Sequence, residues 1–196
     1  MKEDILEQLV DEYLQHKGYF TRHNIKFKPS KSHPDYESNK DAVPSDIDVI
    51  GIDPNRRGVD RVIAVSCKSW QSGFSPSSKI SEIEGNKTVA GREAWKGFRE
   101  VTKEKWASAF IDEIEDISGT RKFTYVTAVT IVKGDRLVWE TYEPFRKILQ
   151  GNPVKILAFS DILDDLLPDL DTTPASSEVG RVLQLFKASG WLGNNC

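Results

Sequence analysis

The sequence predicts an α/β domain with a mixed central β-sheet flanked by helices. Three observations predict it: the chain opens with helical spacing of apolar residues, short Val- and Ile-rich runs have strand length, and helical segments alternate with them. The 196 residues, 38% hydrophobic and 29% charged, suit one soluble, folded domain. We expect residues 1–170 to form the α/β domain and residues 171–196 to form a linker and a C-terminal helix packed on it.

The first quarter of the chain predicts a helix, a strand and a loop. Apolar residues three and four apart predict a helix over Glu3–Lys17, which Gly18 ends. The run Tyr19–Phe27 predicts the first strand. The polar stretch Pro29–Pro44 predicts a surface loop beside the hairpin that follows.

Two Val- and Ile-rich runs, Ile47–Ile52 and Arg61–Cys67, predict a β-hairpin around the polar turn Asp53–Asp60. Asp48 lies inside the first run, where a buried carboxylate needs a counter-charge or a metal ion. Lys68 ends the second run. The hairpin therefore carries an acid on one strand and an amine on the next.

These charged residues are predicted to share one face of the sheet. Residues two apart in a strand point to the same side, so Ser66 and Lys68 project together, and Asp48 meets them if the strands are antiparallel. Asp46 shares a face with Asp48 and either caps the strand or serves as a second acid, but Asp48 lies deeper. An acid and an amine at the end of a rigid sheet can hold a divalent metal ion and polarise a phosphate.

The second half of the chain predicts helices that cover the sheet and further strands. We expect first an irregular stretch Ser72–Gly91 with a short helix near Ser81–Glu84, then a helix Trp95–Ile117 broken near Gly97 and a strand Phe123–Val132. An extended piece Leu137–Tyr142, a helical turn Tyr142–Leu149 and a strand Val154–Phe159 are expected to follow. The chain is then expected to continue with a helix Asp161–Leu167 capped by Ser160, a linker Leu170–Ser177, and a helix Ser177–Gly190 followed by packed Trp191 and Leu192.

The motif D-I-D-V-I-G, followed about twenty residues later by V-S-C-K, resembles the PD-(D/E)XK nuclease superfamily, in particular its Mrr-like restriction endonuclease branch. The opening helix, E-x-x-V-x-x-Y-L-x-x-K-G-Y, resembles the first helix of that family. The resemblance covers about residues 3–71, and it implies the restriction-endonuclease-like form of the α/β fold.

The resemblance implies a set of site residues. Asp48 matches the first acid and Lys68 the lysine, while Ser66 stands where the family has Glu, Asp or Gln and is a departure from its pattern. Glu7 matches a glutamate that the first helix often supplies. The main-chain carbonyl of Cys67 is the family's further metal contact, which needs no particular side chain. The metal ion would be Mg²⁺, with Mn²⁺ as a possible substitute.

A further polar residue completes this set. In related nucleases a nearby Gln orients the site, and Gln71 follows on the Lys68 side if the extended chain continues. Because Ser66 removes about one negative charge, Glu7 or Asp46 has to compensate if the site is to hold a metal ion.

Three functions follow as hypotheses. The first is a Mg²⁺-dependent DNA endonuclease of restriction or repair type, which hydrolyses phosphodiester bonds. The second is a catalytically inactive protein of the nuclease fold that binds DNA or a protein partner. The third is an unrelated α/β protein in which Asp48 and Lys68 form a structural ion pair.

The most basic window of the chain lies in and after the first predicted strand. Arg22, Lys26, Lys28 and Lys31 occur there with interleaved aromatic residues, which suits contact with a DNA backbone. A charged edge strand protected against aggregation explains the same pattern equally well. The net charge of −3 counts mildly against broad DNA binding. Cutting both DNA strands would favour a homodimer.

The remaining composition points to the cytoplasm. With two cysteines, Cys67 and Cys196, the sequence has no disulfide framework, which indicates a reducing compartment. The longest apolar run, Tyr125–Val132, is far too short to span a membrane. Phosphate-loop, dinucleotide-binding and zinc-ligand spacings do not occur in the sequence.

Overall fold

A computed structural model describes residues 4–168, 175 and 177–190. The helices are α1 (Ile5–His16), α2 (Ser38–Asp41), α3 (Pro76–Glu84), α4 (Arg99–Thr102), α5 (Glu104–Ser118), α6 (Leu137–Glu140), α7 (Glu143–Ile148), α8 (Phe159–Leu166) and α9 (Glu178–Ala188). The strands are β1 (Phe20–Phe27), β2 (Ser45–Ile52), β3 (Val62–Lys68), β4 (Thr88–Val89), β5 (Arg92–Glu93), β6 (Thr124–Val129) and β7 (Val154–Ala158). Short 3₁₀ turns occupy Gly58–Asp60 and Ala94–Gly97.

The central sheet has five strands in the order β1-β2-β3-β6-β7. The first three strands form an antiparallel meander, whereas β3, β6 and β7 run parallel to one another. Every residue of β6 is buried, as expected for a parallel strand covered on both faces. The predicted α/β class with a mixed central sheet is therefore confirmed.

Helices cover both faces of this sheet. On one face α1 and α8 pack through Leu6, Val10 and Ile162 against Val65 and other strand residues. The opposite face carries the larger core, to which α5, α6 and α7 contribute aromatic rings and α4 contributes Val101. The final helix, α9, packs against α1, because Leu183 and Ala175 contact Leu9. Neighbouring strands of the hairpin thus present alternate residues to two different cores.

The segment Leu137–Tyr142 was predicted to be extended, and this prediction is wrong. Its first four residues form the helix α6, whose start is fixed by the Asp135 carboxylate accepting the Leu137 N–H at 2.8 Å. Trp139 on this helix is completely buried against Phe145. Tertiary burial of this large ring therefore favours the helix over the predicted extended conformation.

Two helices begin earlier than predicted. Helix α3 begins at Pro76 rather than near Ser81, since a proline is tolerated in the first turn of a helix. Helix α8 begins before Ser160, which therefore lies inside the helix and is not its N-cap. The Asp161 carboxylate accepts the Ala158 N–H at 2.9 Å and satisfies this end of the helix instead.

The polar loop before β2 is mostly exposed, as predicted, but it is also anchored. Asp41 within it is completely buried, and its carboxylate pairs with Lys105 at 2.7 Å and accepts from the indole of Trp106 at 3.1 Å. The predictions for Trp191, Leu192 and most of the linker lie outside the described residues. Within the described part of the chain, no helix combines the length and apolar composition needed to cross a membrane.

Candidate active site

The candidate site lies where strands β2 and β3 stop pairing. Their ladder begins at Ile52–Val62 and ends at Val49–Val65, so Asp48 is the next residue of β2 beyond it. The Asp48 carboxylate accepts the backbone N–H of Cys67 at 2.6 Å. The carboxylate therefore takes up a backbone donor of β3 just where the ladder ends, and this fixes its position.

Ser66 and Lys68 project from β3 toward the face of the sheet that carries the larger core. The Lys68 ammonium donates to the Ser66 hydroxyl at 2.8 Å and lies 5.5 Å from the centre of the Phe98 ring. Cys67, between them, packs against the core on the opposite face. The predicted alternation of side chains along β3 thus matches the structure.

Glu100, on helix α4, is a site residue that the sequence reasoning missed. It is only 5% exposed, and it accepts a hydrogen bond of 2.6 Å from the hydroxyl of Tyr125 on β6. Tyr125 is completely buried, and this burial, together with the negative charge of Glu100, raises the pKa of its hydroxyl well above the ordinary value. Tyr125 therefore donates the hydrogen bond that holds the Glu100 carboxylate in place.

These side chains meet in a mostly polar cavity of about 260 Å³. Asp48, Ser66, Lys68 and Glu100 all line it, so the structure brings the acid and the amine of the hairpin to one cavity. Asp46 lines it as well. A carboxylate from a helix, Glu100, thus lines the same cavity as Ser66 of β3.

Positive side chains stand around the mouth of this cavity. Arg92 from β5 and Lys96 from the following 3₁₀ turn line it together with the indole of Trp70. Arg92 donates to the carbonyl of Lys96 at 3.2 Å, and Lys96 pairs with Glu93 at 2.8 Å. The β4–β5 hairpin and the 3₁₀ turn that follows it therefore supply two cations to a cavity that also contains carboxylates.

The surroundings of the cavity make the ionised form of Asp48 less favourable. Burial raises the pKa of Asp48 from 3.8 to about 6, although the charge of Lys68 and the N–H of Cys67 both favour the ionised form. Asp46 and Glu100 raise this pKa further by repulsion. Lys68 acts on Asp48 through its charge and gives its hydrogen bond to Ser66.

Glu7 lies on α1, which covers the other face of the sheet, and it stands outside the lining of the cavity. Burial raises its pKa from 4.5 to about 7, and repulsion by Asp48, Asp4 and Asp46 adds to this rise. The charge of Glu7 therefore interacts with that of Asp48 even though the Glu7 side chain does not line the cavity.

Gln71 does not accompany Lys68, so this prediction is wrong. The chain turns after β3, where the Trp70 N–H donates to the Lys68 carbonyl at 2.8 Å. The turn directs Trp70 to the cavity, and it places Gln71 beside Asp4 and Ser69 in a separate pocket against α1. The prediction assumed that the extended chain continues, and the strand ends at Lys68.

The predicted basic window begins on an edge strand of the sheet, β1. Lys26 pairs with Asp46 at 2.6 Å, which connects this window to the cavity. Lys28 and Lys31 follow the end of β1, and Arg22 lies nearer the far end of the strand; all three are exposed. Both readings of the window, DNA contact and edge protection, remain open in this arrangement.

The donor set of the cavity suits a small hard cation with few protein ligands. Among residues 4–168, 175 and 177–190, no three His, Cys, Asp or Glu side chains come together as a metal-holding group. Mg²⁺ usually binds one or two carboxylates and keeps several waters. Three carboxylates line the cavity, and because Asp46 pairs with Lys26, Asp48 and Glu100 are the two that match this pattern. The raised pKa of Asp48 is a second indication, since a bound cation would relieve the repulsion that causes part of it.

Comparisons with known proteins leave the family undetermined. No protein-family model matches the chain, and no curated protein matches it. The structure is similar to the crystal structure of AF1548, a protein of unknown function, with a TM-score of 0.43 and 10% sequence identity over 98% of this chain and all of that one. At this level, the similarity says nothing about what either protein does.

Proposed function

We propose that the protein is a metal-dependent endonuclease that hydrolyses phosphodiester bonds in DNA, of restriction or repair type. The observation that carries this proposal is the meeting of Asp48, Glu100 and Lys68 in one polar cavity at the point where β2 and β3 stop pairing. The sequence resemblance to PD-(D/E)XK nucleases supports it independently, because Asp48 and Lys68 are the residues that match the motif.

In this proposal Asp48 and Glu100 would hold Mg²⁺, or Mn²⁺ in its place. Such an ion would supply a positive charge that polarises a phosphate oxygen and lowers the pKa of a water molecule. Glu100 supplies the negative charge that Ser66 lacks, and Tyr125 orients it through their hydrogen bond. Asp48 is oriented by the backbone N–H of Cys67.

Lys68 supplies the positive charge that phosphoryl chemistry requires. Ser66 holds its ammonium group at the cavity, so the charge is positioned before the substrate arrives. Arg92 and Lys96 at the mouth bind neighbouring phosphates of the strand. The basic residues at the end of β1, Lys28 above all, extend this contact along the DNA backbone.

Cleavage of supercoiled plasmid with Mg²⁺ or Mn²⁺ tests the proposal. We expect Asp48→Asn, Lys68→Met and Glu100→Gln each to reduce the rate by at least about a hundredfold, since each removes a charge from the reacting centre. The controls are Asp112→Asn and Lys155→Met, which change exposed side chains elsewhere and should leave the rate unchanged.

One further result would overturn the endonuclease proposal, and another would remove only Glu100 from it. DNA binding in a gel shift without cleavage under either metal would favour the inactive nuclease-fold alternative, which binds DNA or a protein partner. Equal cleavage by the wild type and Glu100→Gln would mean that the second carboxylate has no part in the reaction. A homodimer, measured by sedimentation, is the expected state if both strands of one site are cut.

A further inference from the structure

A second cavity of about 620 Å³, named here the side pocket, opens beside the active-site cavity. Helix α3 forms one of its walls, and the β4–β5 hairpin forms the other. The two cavities share Trp70, Arg92 and Gly97 as lining residues. A group bound in the side pocket can therefore belong to the same ligand as a phosphate bound in the active-site cavity.

The lining of the side pocket combines aromatic surface with hydrogen-bonding groups. The indole of Trp70 packs edge-on against Phe98, with 5.9 Å between the ring centres. The ammonium of Lys79 lies 4.8 Å from the centre of the Trp70 ring and also pairs with the carboxylate of Glu82. The side pocket therefore presents the Trp70 indole, over whose ring the Lys79 ammonium lies, next to the carboxylate that pairs with this ammonium.

The distribution of charge favours an uncharged ligand inside the side pocket. Lys79 is neutralised by Glu82, and the hydroxyls of Ser75 and Ser78 bond to each other at 3.0 Å. Arg92, by contrast, stands at the boundary with the active-site cavity, where a phosphate would lie. A flat, neutral group with polar edges that is joined to a phosphate matches this pattern, and a nucleobase is such a group.

The hairpin wall is held together by its own backbone pairing and a tight turn. Strands β4 and β5 pair as Thr88–Glu93 and Val89–Arg92, so only Ala90 and Gly91 form the turn. Both turn residues have positive φ, 49° and 77°, which is the geometry of a tight type I′ hairpin. Since this wall needs little ordering on binding, less of the interaction energy is lost.

We propose that the side pocket binds an unpaired nucleobase of the DNA strand whose phosphate lies in the active-site cavity. This rests on the proposed function for its substrate class. A base must leave the duplex to enter, and this costs least when it is already unpaired. DNA with an extrahelical base should therefore bind more tightly than fully paired DNA, by roughly ten- to a hundredfold if the base stacks on Trp70.

The test measures binding by fluorescence anisotropy in EDTA, with two labelled duplexes that differ only by one extrahelical base. Ser78→Trp fills the side pocket from α3, and Val89→Trp fills it from the hairpin. The matched control is Ser77→Trp, an exposed position on the same helix outside the lining. We expect the preference for the extrahelical base in the wild type and Ser77→Trp, and its loss in Ser78→Trp and Val89→Trp.

Equal binding of the two duplexes by the wild type would overturn the proposal, and so would an undiminished preference in both filled variants. Thermal melts confirm that each variant is folded, and the two variants act from opposite walls. Cleavage with Mg²⁺ is measured separately: a preference without cleavage would overturn the proposed function alone. Cleavage without a preference would overturn only the assignment of the side pocket.

Discussion

Asp48→Asn should stabilise the metal-free protein at about pH 8, although it removes a residue of the proposed site. The pKa of this carboxyl is raised from 3.8 to about 6 in the folded protein. A raised pKa means that the native state binds the proton more tightly than the unfolded chain does. The stability that this contributes is present below about pH 4 and is lost as the pH rises through about 6.

The expected magnitude follows from that pKa. At about 1.4 kcal/mol per pKa unit, the rise amounts to roughly 3 kcal/mol of stability lost by about pH 8. Asparagine carries no charge, so Asp48→Asn avoids the loss, but its amide oxygen accepts the Cys67 N–H less strongly than a carboxylate. We expect a net stabilisation of about 1–2 kcal/mol at about pH 8 and little change at about pH 4.

Urea unfolding at the two pH values, with and without Mn²⁺, provides the assay. The wild type should gain stability from Mn²⁺ at about pH 8, and Asp48→Asn should not, because a ligand that binds only the native state stabilises it. The contrasting control is Asp41→Asn, which should destabilise the protein because it leaves Lys105 without its closest carboxylate. An Asp48→Asn variant that is less stable than the wild type at about pH 8, with no effect of Mn²⁺, would refute the site and favour the structural ion pair.

The other predictions concern charge in and around the cavity. Glu100→Gln should lose plasmid cleavage, and adding Ser66→Asp should restore part of it, because both positions line one cavity. No recovery in the double variant would count against the idea that Glu100 supplies the negative charge that Ser66 lacks. Lys28→Glu with Lys31→Glu should weaken DNA binding and reduce the salt slope by about 2, whereas unchanged binding would leave edge protection as their role. Mn²⁺ affinity, measured by calorimetry, should rise with pH through about 6 as Asp48 ionises and further through about 7 as Glu7 ionises, and Glu7→Gln should remove the upper part of that rise.

The parts of the site that depend on local periodicity could be predicted from the sequence. Asp48 is recognisable because a carboxylate interrupts an apolar strand, and Ser66 and Lys68 share a face because side chains alternate along β3. Gln71 marks the limit of this reasoning, because the chain leaves the strand at Lys68 and a turn cancels the alternation.

Glu100 could not be found in the same way, since its position depends on tertiary packing. It lies in the segment Trp95–Ile117, which was predicted as a helix broken near Gly97, and the structure divides that segment into a 3₁₀ turn ending at Gly97, α4 and α5. The division directs Glu100 to Tyr125, more than twenty residues further along the chain. One signal was present, because Tyr125 lies in a fully buried strand and a buried phenol hydroxyl needs a hydrogen-bond partner. The sequence around Tyr125 does not indicate which residue that partner is.

Two Asp–Lys pairs in this chain show opposite electrostatics, and the difference bears on what Asp48 does. Lys105 contacts Asp41 directly at 2.7 Å, and although burial alone would raise the pKa of Asp41, this contact and further hydrogen bonds lower it. Lys68 gives its hydrogen bond to Ser66 instead, and the pKa of Asp48 is raised. An ion pair built for stability resembles the first arrangement. The second leaves negative charge that costs stability until a cation neutralises it, which is the expected condition of a metal site before its ion binds.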